Sequence, residues 1–114
     1  MSDECLVACL CAEWCGSCRD YHAVFDAVRA RFAAEARFTW IDIEDHPEVL
    51  GPVDIEDFPA VLIARGDAIA FFGSITPHAA TVSRLVVTAL AGTLGPVNDA
   101  SLDGVVGRIR ALAG

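Results

Sequence analysis

The chain has 114 residues, of which 54% are hydrophobic and 21% charged, and its formal net charge is −8. This length suits one domain with its own core, and the apolar share excludes a disordered chain. The excess of acidic residues disfavours binding to nucleic-acid phosphates or to an anionic membrane surface, so neither is a predicted partner. The acidic start "MSDEC" differs from the basic start of a secretory signal, which predicts a cytoplasmic location.

The first predicted element is a strand at residues 5–11, "CLVACLC". A nearly uninterrupted apolar run of this length is typical of a strand that is covered on both faces, as in a parallel sheet. From Ser17 onward the apolar period becomes that of a helix. The apolar positions of this helix are Tyr21, Phe25, Val28 and Phe32.

The middle of the chain predicts three further strands. The segment "FTWIDI" at 38–43 is rich in aromatic and β-branched residues, and a short helical turn follows it at 46–52. Segments 59–64 and 68–73 flank "RGD" and predict an antiparallel hairpin.

Two helices are predicted in the remainder of the chain. The first starts at Thr76–Pro77, because proline is favoured in the first turn of a helix, and it stops at Gly92. The second follows the linker-like stretch "GTLGPVND" at 92–99. Its apolar positions are Leu102, Val105, Val106, Ile109 and Leu112. The predicted order, β-α-β-(α)-β-β-α-α, is that of one α/β domain.

The cysteines indicate local chemistry, because four of the five lie within ten residues and do not close loops along the chain. Cys15 and Cys18 lie where the first strand ends and the helix begins. The helix N-terminus and the neighbouring Arg19 both stabilise a thiolate at Cys15. The spacing lets Cys18 reach Cys15, which predicts a two-step exchange in which Cys15 attacks a disulfide and Cys18 resolves the mixed disulfide.

Two motifs carry a resemblance to the thioredoxin family. The segment "AEWCGSC" after an apolar strand resembles the thioredoxin active-site segment, and "DFPAVLI" puts Pro59 where these proteins carry a cis-proline opposite the cysteines. The resemblance covers roughly residues 5–92. It implies a thioredoxin-like α/β fold, shortened at the N-terminus, with a central mixed sheet of about four strands flanked by helices. Residues 93–114 would add a linker and a C-terminal helix on the same domain, 1–92.

The resemblance also implies a function and a set of site residues. The chain would be a thiol–disulfide oxidoreductase that reduces protein disulfides, with Cys15 as the attacking thiol and Cys18 as the buried resolving thiol. Trp14 would shield the pair, and Pro59 would expose the backbone of Phe58 for strand-like pairing with a substrate. The substrate-binding residues would be Trp14, Gly16, Ser17, Phe58 and Pro59. A thioredoxin-reductase-type protein would supply electrons, and no cofactor or metal of its own is implied.

The sequence departs from the family in several places. Gly16-Ser17 replaces the usual Gly-Pro between the cysteines, which leaves the redox potential open. Cys9 takes the place of a buried aspartate and Trp40 that of its lysine neighbour, which predicts slower resolution or a proton route through water, with Glu13 as the candidate substitute carboxylate. Only four residues precede the first strand, where thioredoxins have a strand and a helix. The C-terminal helix would cover the face left open, unless a second subunit covers it.

Charge near the substrate strip is predicted to be one-sided. Residues 42–57 contain seven acidic residues and no Lys or Arg, and Glu56 and Asp57 directly precede Phe58-Pro59. This pattern predicts poor glutathione binding and a preference for neutral or basic protein substrates. Close carboxylates would also raise the pKa of Cys15.

Two other functions are compatible with the sequence. Cys9, Cys11, Cys15 and Cys18 could hold zinc or an iron–sulfur cluster, although closing four ligands round one ion would distort both the strand and the helix. Alternatively, the chain could be a non-catalytic binding module or assembly chaperone on a thioredoxin scaffold. The remaining thiols, Cys5, Cys9 and Cys11, are most simply buried core residues. A Cys9–Cys11 disulfide is disfavoured by the separation of side chains two apart on a strand.

Overall fold

The computed structural model describes residues 4–12, 16–49, 59–66, 68–75, 78–92, 97, 102 and 104–113. The elements are β1 (Cys5–Cys11), α1 (Gly16–Phe32), β2 (Ala36–Asp42), β3 (Ala60–Arg65), β4 (Ala68–Ser74), α2 (Ala79–Leu90) and α3 (Val105–Ala113). A short 3₁₀ turn, Pro47–Val49, follows β2. Among these described helices, none is both long enough and apolar enough to cross a bilayer.

The four strands form one mixed sheet in the order β2-β1-β3-β4. β1 runs parallel to β2 and antiparallel to β3, and β3 and β4 form the predicted antiparallel hairpin. Every residue of β1 is buried, because this central strand is covered on both faces. The predicted fold class is therefore confirmed, with the sheet placing the end of β1 next to the start of α1.

Helices α1 and α2 pack on the same face of the sheet. Four α1 residues at helical spacing are buried there, as their period predicted. They are Tyr21, Phe25, Val28 and Phe32. The same cluster contains Val82, Val86 and Ala89 of α2. β1 contributes the residues at alternate positions to this cluster, namely Cys5, Val7, Cys9 and Cys11.

Helix α3 packs on the opposite face of the sheet. Its buried residues join Leu6, Ala8 and Leu10 of β1 in a second apolar cluster. They are Val105, Val106 and Ile109, and the buried Leu102 precedes them. Leu112 was predicted on this face, but that prediction was wrong, since 42% of the residue is exposed. The boundary between residues 92 and 93 stays a prediction, and residues 93–96 lie outside the described residues.

Polar contacts also join α3 to the sheet. The Arg110 guanidinium lies 2.8 Å from Glu4 Oε1 and donates a 2.8 Å hydrogen bond to the Gly66 carbonyl. Arg108 Nε donates to the carbonyl of Val49, at 2.9 Å. These contacts bind the helix to the end of the sheet where β1 begins and β3 ends, and to the 3₁₀ turn after β2.

The ends of α2 differ in part from the prediction. The helix stops as predicted, with Gly92 at φ +76°, a backbone conformation that glycine adopts without strain. Arg65 Nη1 donates hydrogen bonds to two terminal carbonyls of this helix, those of Ala89 and Leu90. The predicted start at Thr76–Pro77 was too early, because His78 has extended backbone and the helix begins at Ala79. Thr76 and Pro77 lie outside the described residues.

Candidate active site

The candidate site lies where β1 ends at Cys11 and α1 begins at Gly16. Cys18 is in the first turn of α1 and is 1% exposed. Free N–H groups in the first turn of a helix favour negative charge, so this turn stabilises a thiolate placed beside it. Cys15 directly precedes Gly16 in the chain and lies, together with Glu13 and Trp14, outside the described residues.

Cys18 forms a disulfide with Cys11, and the two Cα atoms are 5.8 Å apart. The prediction that Cys11 is buried is confirmed, but the prediction that it is a spare thiol was wrong. Cys11 is the last residue of β1 and points to the face that α1 covers, so it meets the first turn of the helix. The sequence contained a signal for this pairing. Side chains alternate between the two faces of β1, which puts Cys11 on the sheet face that α1 covers, at the strand end nearest the helix.

The interior beneath the disulfide is apolar and favours neutral thiols. Cys9 Sγ lies 3.7 Å from Cys11 Sγ, and complete burial raises the pKa of the Cys9 thiol. Cys9 pairs with Trp40 in the parallel register, so the two positions occupied by the acid and the lysine in the family do lie side by side. The buried Tyr21 hydroxyl has no hydrogen-bond partner among the described residues, and its pKa is raised by burial and by the nearby Cys9.

A cation lies beside the start of α1, as predicted. The Arg19 guanidinium reaches back along the first turn, since a β-carbon added at Gly16 would lie 3.9 Å from Arg19 Nη2. Gly16 itself is exposed, and the side chain of Ser17 lies outside the described part of the chain. The Arg19 side chain thus adds positive charge to that of the helix terminus at Gly16, the residue that directly follows Cys15 in the chain.

An open cavity of about 430 Å³ adjoins Cys18. Its walls include Cys18, Arg19, His22, Trp40, Asp42 and Asp45. Asp42 and Asp45 of the acidic segment therefore reach the cavity, and α1 contributes Arg19 to the same wall. Glu56 and Asp57 lie outside the described residues.

Sequence reasoning did not assign His22 to the site. The imidazole ring lies 4.4 Å from the Trp40 ring, and its Nδ1 lies 3.2 Å from Asp26 Oδ2. The available signal was the spacing of four residues from Cys18, which puts both side chains on one face of α1.

Pro59 lies opposite the cysteine-bearing end of β1, as predicted. Ala60 pairs with Leu10, so the preceding residue, Pro59, is level with Cys11. Pro59 is buried, and its carbonyl accepts a 3.0 Å hydrogen bond from the backbone N–H of Ile75. The cis state of its peptide bond stays a prediction, and Phe58 lies outside the described residues.

The described residues contain no group of three or more His, Cys, Asp and Glu side chains arranged to hold a metal ion. The four-thiolate hypothesis also needs Cys15, which lies outside them.

Comparison with known proteins gives the family. The family model for thioredoxin matches residues 1–83. The chain belongs to the thioredoxin family. No match is found among curated proteins.

Solved thioredoxin structures agree with this chain in fold. The germline-specific thioredoxin Deadhead from Drosophila melanogaster has a TM-score of 0.68 at 15% identity, over 75% of this chain and 81% of that one. Chloroplastic thioredoxin z has a TM-score of 0.68 at 22% identity, over 79% of this chain and 81% of that one. Fasciola hepatica thioredoxin has a TM-score of 0.62 at 15% identity, over 81% of this chain and 83% of that one. At these identities the likeness extends to the fold alone.

Proposed function

We propose that this protein is a thiol–disulfide oxidoreductase of the thioredoxin type that reduces protein disulfides through Cys15 and Cys18. The observation that carries the proposal is the state of Cys18. It lies in the first turn of the helix that follows Cys15 in the chain, and its sulfur is within bonding reach of another cysteine, which supports a role in thiol–disulfide exchange. Membership of the thioredoxin family supports the same assignment.

In the first step the Cys15 thiolate attacks one sulfur of a substrate disulfide. A mixed disulfide forms between Cys15 and the substrate, and the second substrate sulfur leaves as a thiolate. The helix terminus and the Arg19 guanidinium favour the thiolate form of Cys15, which is the form that attacks. The cavity beside Cys18 offers room for the substrate chain, and Trp40 offers an apolar wall.

In the second step the Cys18 thiolate attacks Cys15 Sγ. A Cys15–Cys18 disulfide forms, and the substrate leaves with both of its sulfurs reduced. Cys18 must first lose its proton, and Cys9 in place of the family's buried acid is a weak acceptor because burial keeps its thiol neutral. Resolution is therefore slow, or its proton leaves through water in the adjoining cavity.

Reduction of the Cys15–Cys18 disulfide returns the protein to its starting state. An external dithiol protein of the thioredoxin-reductase type would supply the two electrons. The substrate preference for neutral or basic proteins rests on Asp42 and Asp45 in the cavity wall, and Arg19 moderates it. The cytoplasmic location stays a prediction.

Turnover of a disulfide-containing protein, with a small dithiol as reductant, tests the proposal. Cys15→Ser should abolish the acceleration over the reductant alone. Cys18→Ser should accumulate a mixed disulfide that is visible as a mass increase equal to the substrate. Cys5→Ala provides a matched control, because it removes a free thiol at the end of β1 opposite Cys11. Equal turnover by wild type and Cys15→Ser would contradict the proposal.

A binding module or assembly chaperone is the second candidate function. The observation that favours it is the Cys11–Cys18 disulfide, which removes Cys18 from a dithiol cycle. Retention of biological function by a Cys15→Ser, Cys18→Ser protein would support this alternative.

A further inference from the structure

Cys11 has no role in the proposed cycle, yet it is the residue to which Cys18 is bonded. The Cα separation of 5.8 Å lies within the usual disulfide range of roughly 4.4–6.8 Å, so neither backbone must move to make the bond. Cys11 approaches from the end of β1, whereas Cys15 precedes α1. Cys18 therefore has two candidate partners, Cys11 at the end of β1 and Cys15 three residues before it in the chain, and Cys9 Sγ lies 3.7 Å from Cys11 Sγ.

We propose that Cys11 is a third redox-active residue. It displaces Cys15 from the disulfide with Cys18, and the oxidised state is then stored as a buried Cys11–Cys18 disulfide. The proposal deepens the function proposed above and rests on it. In the exchange, the Cys11 thiolate attacks Cys18 Sγ in the Cys15–Cys18 disulfide. The Cys11–Cys18 bond forms, the Cys15–Cys18 bond breaks, and Cys15 leaves as a thiolate. The proton lost by Cys11 goes to water, and the number of disulfides stays at one.

Charge placement favours this direction of exchange. A disulfide is neutral and suits the apolar interior, where Cys11 and Cys18 are each 1% exposed. The thiolate that is released belongs instead to Cys15, which directly precedes the first turn of α1 in the chain, and the Arg19 guanidinium lies beside that turn. A thiol whose thiolate is stabilised is also the better leaving group in thiol–disulfide exchange. Cys9 is not the partner of Cys18, because it remains a free thiol 3.7 Å from Cys11 Sγ while Cys11 is bonded to Cys18.

The exchange changes what the site can do. While Cys18 is bonded to Cys11, it cannot resolve a mixed disulfide on Cys15. Cys15 then acts as a single thiol, and its adducts persist until Cys11–Cys18 is reduced. Oxidation of Cys11 thus switches the protein from dithiol reduction to a single-thiol mode.

Peptide mapping distinguishes the two disulfides directly. After free thiols are alkylated, cleavage at glutamate gives peptide 5–13, which contains Cys11, and peptide 14–35, which contains Cys15 and Cys18. A Cys11–Cys18 bond joins these two peptides, whereas a Cys15–Cys18 bond lies within the second. Wild-type protein, oxidised with a disulfide reagent and left to equilibrate, should contain mostly the joined pair.

Variants identify the cysteines and separate this inference from the proposed function. Cys15→Ser should still give the joined peptides, Cys11→Ala should lose them, and the control Cys9→Ala should retain them. A wild type that contains mainly the Cys15–Cys18 bond, or absence of the joined pair from Cys15→Ser, with far-UV circular dichroism showing that the protein is folded, would overturn the inference. The turnover assay tests the cycle independently, because failure of Cys15 to reduce substrate does not affect the joined pair.

Discussion

The C-terminal helix provides a prediction whose magnitude follows from the structure. Ile109 is fully buried between α3 and the sheet. Replacing it with alanine removes three buried carbons, at about 0.8 kcal/mol each in transfer free energy, or about 2.4 kcal/mol. The cavity left behind adds to this loss, so Ile109→Ala should lower the free energy of unfolding by about 2–5 kcal/mol. That is a large share of the ~5–15 kcal/mol that stabilises an ordinary domain.

Leu112→Ala is the matched control, because it truncates an apolar side chain on the same helix at a site that is 42% exposed. Its effect should stay within about 0.5 kcal/mol. Urea unfolding at constant pH and under fixed redox conditions, followed by far-UV circular dichroism, measures both variants. Equal losses for the two, or a loss below about 0.5 kcal/mol for Ile109→Ala, would refute the packing of α3 on this face.

Two further perturbations follow from the thiol environment and the backbone. Because burial raises the pKa of Cys9 above its unfolded value of 9.0, its contribution to stability is full below that pH and is lost as pH rises. Above pH 9.0, the free energy of unfolding should therefore fall by about 1.4 kcal/mol per pH unit because of this group. Cys9→Ala should make the decline of the free energy of unfolding with pH shallower by that amount. An unchanged decline would contradict this prediction. Gly107→Ala should stabilise α3 by about 0.5–1 kcal/mol, since no atom of the described residues lies within 4 Å of the added carbon. Gly92→Ala should instead destabilise the protein, because φ is +76° there, a backbone conformation that alanine adopts only with strain. Thermal melts in which the Tm of Gly107→Ala and that of Gly92→Ala shift in the same direction would contradict this prediction.

Periodic patterns predicted the fold well. The uninterrupted apolar run of β1 required cover on both faces, and the structure supplies it with helices on one face and α3 on the other. The helical period of α1 identified its buried residues correctly, because burial on a long amphipathic helix follows the period itself. The apolar face of the last helix required a surface to pack on, and the sheet face that lacked a helix was the one available.

The sequence predicted the candidate site less completely. Cys11 and Cys18 are seven positions apart, and their pairing depends on the distance between a strand end and a helix turn, which spacing alone does not determine. The cavity beside Cys18 also joins residues from separate elements, such as His22 on α1 and Trp40 on β2. Leu112 follows the apolar period but lies beyond the surface that α3 covers, so period alone could not predict its exposure.

A redox titration in the Cys11→Ala background tests the dithiol function most directly, because it removes the second partner of Cys18. The five cysteines less Cys11 leave four thiols, which can be counted by alkylation after denaturation in a series of dithiol buffers. We expect one two-electron transition from four alkylatable thiols to two, which disappears when Cys15→Ser is added. Absence of the transition in Cys11→Ala, or its survival without Cys15, would contradict the assignment of Cys15 and Cys18 as the working pair.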